Sequence, residues 1–112
     1  MPGTVGSKQA WARTLRFFGH KCAYCRTDKN LTRDHWVPRS LGGDGVAGNL
    51  VPACVTCNAI KMDTPPHLLN LDPAVRGYIE RTLDYLKVDQ YERRQARKER
   101  KKARVEANVT GN

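Results

Sequence analysis

Four cysteines, spaced Cys22-x-x-Cys25 and, after 28 intervening residues, Cys54-x-x-Cys57, constrain this chain more than any other feature. Two close pairs fit a tetrahedral four-thiolate zinc site, each pair closing a small knuckle around the ion. Two disulfides are the alternative. The opening residues MPGTVGSKQAWARTLRFFGHK contain no apolar core of the kind a secretory signal needs. A reducing cytoplasm is therefore expected, and there thiols bind metal rather than pair. The size of the chain makes a staple useful. With 112 residues, 39% hydrophobic and 7% aromatic, it forms one domain with little core to spare. No apolar run approaches the ~18 residues of a membrane span.

Charge is unevenly distributed. The net charge is +9, yet residues 91–104 (YERRQARKERKKAR) alone carry 8 basic and 2 acidic side chains, against 12 and 8 in residues 1–90. A basic module with a concentrated basic extension suits a polyanion, most simply nucleic acid, because each phosphate neutralised releases counterions. The competing reading is a solvated tail that aids solubility.

Periodicity predicts a helix over about 7–18, capped by Ser7 and stopped by Gly19, with Trp11, Leu15 and Phe18 on one face. Leu31 to Val37 reads as a short strand broken by Pro38, followed by the Gly-rich LGGDGVAG loop, a second short strand at Leu50 and Val51, and a short helix over Cys54 to Met62. Asp72 and Pro73 start a further helix over 73–88, whose stripe of Val75, Tyr78, Ile79, Thr82, Leu83 and Leu86 packs on the module. The domain thus spans 1–90, with its core motif at 20–62. Residues 91–112 form a basic tail, helical or disordered.

Asp34 and His35, Asn49, and Asn58 directly after Cys57 are separated by loops that a zinc ion would draw together. With CAYC, LTRDHWVPRS, GG and NLVPACVTCNAIK in this order, the arrangement resembles the HNH endonuclease family over about residues 20–62. The resemblance implies a small α+β fold: a ββα-metal module stapled by a four-cysteine zinc site at Cys22, Cys25, Cys54 and Cys57, flanked by an N-terminal helix and a long basic C-terminal helix. His35 holds the position of the family's general base. An imidazole with an ordinary pKa near ~6.5 suits the deprotonation of an attacking water at neutral pH.

Asp34 and Asn58 hold the positions of ligands to a catalytic divalent ion. One carboxylate and one amide oxygen make a sparse, hard site that suits Mg2+ or Mn2+. Many family members carry His where this chain has Asn58, so it is the H-N-N version. Consecutive helix positions differ by about 100°, so Cys57 can face the structural zinc while Asn58 faces the strand bearing Asp34. Strict alternation would send Asp34 and His35 to opposite faces of a strand. The expected resolution is that His35 lies where regular strand geometry ends, close to Pro38. Asn49 resembles the middle residue of the motif, whose amide holds the loop and orients the histidine. Lys61 and Arg39 are placed to contact the scissile phosphate or its neighbours.

The function implied is a metal-dependent endonuclease acting on DNA, nicking or cutting both strands and leaving 5′-phosphate and 3′-hydroxyl ends. It is similar to small free-standing nucleases encoded by phages, some working beside genome-packaging terminases in the host cytoplasm, and to bacterial restriction-type enzymes. A terminase or other phage protein is thus an expected partner besides DNA. The rivals are a non-catalytic zinc-stabilised DNA-binding module and a nuclease acting on RNA or branched DNA.

Overall fold

The computed structural model describes residues 8–110. Helix α1 spans Lys8–Phe17, with Ser7, the expected cap, outside the described residues. Its end is a Schellman turn: His20 N–H donates to the Leu15 carbonyl at 2.7 Å and Gly19 N–H to that of Arg16 at 3.0 Å. Gly19 sits at φ 70°, in the left-handed region that glycine enters without a Cβ penalty. This turn delivers the chain into the first cysteine knuckle.

Strand β1 (Leu31–His35) pairs antiparallel with β2 (Leu50–Cys54), Leu31 opposite Cys54 and His35 opposite Leu50. β2 is longer than the two residues read from the sequence because Pro52 does not break it. Trp36 N–H donates to the Asn49 carbonyl at 2.7 Å. Antiparallel pairs alternate between hydrogen-bonded and non-hydrogen-bonded, and counting from that bond places Pro52, opposite Arg33, at a non-hydrogen-bonded pair. The ladder needs no N–H there. The Pro52 carbonyl faces the other way and accepts from Ala23 N–H of the knuckle at 2.8 Å.

Helix α2 (Val55–Lys61) follows β2 at once, capped by the Cys54 sulfur, which accepts the Cys57 N–H. Helix α3 (Pro73–Thr110) has 38 residues. Its start is held by Asp72, whose carboxylate accepts the Ala74 N–H at 2.8 Å. At about 1.5 Å per residue α3 is ~57 Å long, which accounts for the 61 Å long axis of the molecule. No helix among the described residues is long and apolar enough to cross a membrane.

One core joins these parts. Phe18, Ala23, Trp36, Val51, Ile79, Leu83 and Leu86 are buried together, and Phe18 meets the Tyr78 ring edge-on at 5.7 Å. Burying a large apolar side chain contributes about 1.5–3 kcal/mol, so α1, the knuckle, β2 and the first third of α3 stabilise one another. Burial along α3 falls away without a break in the helix: between Tyr91 and Asn108 only Gln95 is even partly covered.

The loop between the strands folds back on itself. A Cβ on Gly43 would lie 1.7 Å from the Val37 carbonyl oxygen and 2.9 Å from Asn49 Nδ2. Gly43→Ala is therefore expected to lower the urea midpoint of zinc-loaded protein by ~1–3 kcal/mol equivalent, because the neighbour that must give way is backbone.

Candidate active site

The four cysteine sulfurs lie within 4.8 Å of one another, with Cys25 Sγ and Cys54 Sγ 3.7 Å apart. A tetrahedron with Zn–S bonds near 2.3 Å has edges of ~3.8 Å, so the cluster has the size of a four-thiolate zinc site. Its donors also suit thiolates. Cys25 N–H points at Cys22 Sγ (3.5 Å) and Cys57 N–H at Cys54 Sγ (3.4 Å). Burial works to raise the Cys22 thiol, but backbone donors of Cys25, Cys54 and Tyr24 overcome it and bring the group down to about 7, while burial and the neighbouring sulfurs push Cys57 up, so without a metal the cluster favours one thiolate. The four cysteines are all free of disulfides and positioned to hold a metal ion such as zinc.

The cluster ties the end of β2 and the start of α2 to the first knuckle, which sets α2 across β1. Thr32 and Asp34 share one face of β1, and α2 meets both: Asn58 Nδ2 donates to Thr32 Oγ1 at 2.9 Å, and Lys61 Nζ lies 3.2 Å from Asp34 Oδ1. The other carboxylate oxygen accepts the Tyr24 hydroxyl at 2.6 Å. Tyr24 stands between the two knuckle cysteines, so the metal-binding loop itself holds Asp34. Burial raises the Asp34 carboxyl above its ordinary value, opposed by the Tyr24 hydrogen bond and the Lys61 charge. Burial, reinforced by Asp34, pushes the Tyr24 phenol far above its usual value, which keeps it a donor. A carboxylate has about four acceptor sites, so two remain for a cation or water.

His35 is the last residue of β1 and still opposes Leu50, and Trp36 keeps up the pairing. β1 thus gives way to the loop directly after His35, as expected, although His35 itself is still paired and one further bond follows at Trp36. His35↔Leu50 is a non-hydrogen-bonded pair, so the His35 carbonyl turns to the outer edge of β1, where Lys61 Nζ donates to it at 2.9 Å. A cavity of about 340 Å³ runs along this edge, and Asp34, His35, Arg39 and Asn58 all line it. The open edge at the end of β1 brings Asp34 and His35 to one concavity. Burial lowers the His35 pKa, the Arg39 charge lowers it further, and Asp34 partly offsets both. The imidazole is thus held neutral near pH 7.

Two other candidates lie elsewhere. Asn49 does not line this cavity: its amide accepts from Val37 N–H (2.9 Å) and donates to the carbonyls of Val37 (3.1 Å) and Asp44 (2.6 Å). It fastens the loop that follows His35 and makes no hydrogen bond to the imidazole. Lys61 is a correction. It is 5% exposed and committed to Asp34 and the His35 carbonyl, so it is not presented to a phosphate in solution. Its long stem carries the ammonium to Asp34 and the His35 carbonyl. Residues passed over in the sequence are Tyr24, whose only signal was its place inside CAYC, and Arg33, Ser40, Met62 and Asp63, which also line the cavity.

Residues 22–70 match the family model described as HNH endonuclease. Through this segment, with its metal-binding cysteines, the chain carries a region similar to HNH endonuclease domains. Comparison with curated proteins and with solved structures gave no match. Domains of this family are generally nucleases, which implies nucleic acid as the partner.

Tyr24→Phe removes one donor from a buried carboxylate and leaves the cysteines in place. It is expected to keep the thiolate-to-metal absorption of the cobalt-substituted protein, while destabilising the fold by ~1–3 kcal/mol in chemical denaturation.

Proposed function

We infer that this chain is a metal-dependent endonuclease hydrolysing phosphodiester bonds of DNA, with 5′-phosphate and 3′-hydroxyl products. The observation that carries the reading is the single cavity that gathers Asp34, His35, Arg39 and Asn58 beside the four-cysteine cluster. Asp34 and Asn58 would hold the catalytic ion, Mg2+ or Mn2+. Asp34 offers its remaining acceptor sites, and Asn58, with its NH2 engaged by Thr32, keeps its carbonyl oxygen for a hard cation. Bound there, the ion would supply Lewis-acid stabilisation of charge on the scissile phosphate and the departing 3′ oxygen. The cysteine site would hold a structural zinc.

His35 acts as the general base, taking the proton of the attacking water. Burial and Arg39 keep it unprotonated and ready to accept. Arg39 is exposed on the 3₁₀ turn Arg39–Leu41 at the cavity's rim, where its planar fork suits phosphate oxygens. Asn49 holds the loop between His35 and Arg39, and so fixes the base relative to the cation. Lys61 takes a positioning part. Its ammonium neutralises Asp34 and grips the His35 carbonyl, so a divalent ion has to compete with a fixed positive charge. Ion affinity should therefore be low until a substrate phosphate adds negative charge.

His35→Ala is expected to cut nicking of supercoiled plasmid by ~10²–10⁴-fold with bound zinc unchanged; an undiminished rate refutes the assignment of the base. The pH profile follows from the direction of the His35 shift. Only the neutral imidazole accepts a proton, so the rate holds from neutral pH downward and falls once pH drops through a His35 pKa below the ordinary ~6.5. Arg39→Gln removes a cation that lowers this pKa, and should move the acid limb to higher pH in single-turnover rates at constant salt.

A further inference from the structure

The inner face of α3 does not end with the core. At about 100° per residue, the face that carries buried Leu86 continues through Gln90, Arg93, Arg97, Arg100 and Arg104. Glu92, Glu99 and Glu106, seven residues apart, lie on the opposite face. Where this stripe leaves the body it meets Arg13 of α1, and the two helices enclose a cavity of about 370 Å³ lined by Arg13, Gln90, Arg93, Ala96, Arg97 and Arg100.

Four guanidinium groups converge on this cavity, and one carboxylate answers them. Asp89 accepts from Arg93 Nε at 2.8 Å and lies 3.4 Å from Arg13 Nε. Arg13 Nε is nonetheless buried with no hydrogen-bond partner, and so is Gln90 Oε1. Burial and then the Arg93 charge depress the Arg13 guanidinium below its ordinary value, with Arg16 and Arg97 adding to the effect and Asp89 opposing it. Like charges at this density repel, and a buried donor left unsatisfied is destabilising. A bound anion would relieve both.

We propose that the arginine cavity between α1 and α3 is a second phosphate site, which grips one backbone phosphate of bound nucleic acid away from the scissile position. The proposal rests on the nucleic-acid reading above and deepens it. The cavity shares no lining residue with the one containing His35, so the two hold different phosphates. It also lies on helices outside the segment that matches the HNH family. Guanidinium forks fit phosphate oxygens in pairs. Apart from Ala96 the lining is polar or charged, without the aromatic or aliphatic anchors of a protein-binding hot spot. That favours a nucleic-acid backbone over an acidic protein segment.

The test is binding of a short DNA duplex to the full zinc-loaded chain, read by fluorescence anisotropy across a salt series with no Mg2+ or Mn2+ added. Arg97→Ala/Arg100→Ala keeps good helix formers in α3. It should weaken binding about tenfold or more and make the slope of log K against log salt shallower by about 1 to 2. Arg13→Ala, on the other helix, should weaken it in the same direction with the circular dichroism unchanged. The control Lys98→Ala/Lys102→Ala removes equal charge from the opposite face and should cost no more than about threefold. Equal losses from both pairs would overturn the proposal in favour of a diffuse basic tail, and so would no loss from the arginine pair. A polyglutamate peptide that displaces DNA from the parent at lower concentration than inorganic polyphosphate would overturn it in favour of an acidic protein partner. The readout is independent of cleavage: a chain that never cuts but shows these losses keeps the phosphate site and fails as a nuclease. A chain that cuts while binding without Arg97 and Arg100 does the reverse.

Discussion

The meeting of four sulfurs at tetrahedral-edge distance is the constraint on which the rest depends. Cys54 ends β2 and caps α2, Cys57 lies in the first turn of α2, and Cys22 and Cys25 bracket the loop that carries Tyr24. Holding these four together fixes three things at once: the angle of α2 across β1, the reach of Asn58 to Thr32 and of Lys61 to Asp34, and the approach of Tyr24 to the same carboxylate. A sheet of two strands is marginal by itself in water. A four-sulfur corner positioned to hold a metal, with one shared core behind it, gives it a rigid partner on each side, and a site built on such elements keeps its geometry better than one built on free loops.

Asp34 shows how closely structure and chemistry are tied. A buried carboxylate paired with a buried ammonium gains little net stability over an apolar pair, although removing one partner is costly. Asp34, Lys61 and Tyr24 are therefore better understood as a means of placing a charge than as a source of stability. The same three contacts hold the carboxylate at the floor of the cavity and leave part of it open toward His35 and Asn58. Asn49 works from the other side, closing the loop after His35 through three backbone hydrogen bonds.

Much of this was legible in the sequence, because spacing carries it. The cysteine pairs, the order of strand, loop, strand and helix, and the apolar stripe from Val75 to Leu86 follow from local pattern. What was hidden depends on contacts between distant residues. The extent of β2 turned on which edge Pro52 presents, a matter of register. The burial of Lys61 depends on an acid 27 positions away, and only β1 lying beside its knuckle marks out Tyr24. The arginines of α3 read simply as charge; only the packing of α1 shows that some of them enclose a cavity.

A metal held by the four thiolates would shape the second, oxygen-lined site. Binding of Mn2+ followed by electron paramagnetic resonance of the free ion, in the presence of a short DNA duplex, should therefore differ between zinc-loaded and zinc-stripped chains. Mn2+ binding sensitive to Asp34→Ala should be present with zinc and lost without it, although Asp34 and Asn58 are chemically unchanged. Equal Asp34-dependent binding of Mn2+ by the stripped chain would contradict it.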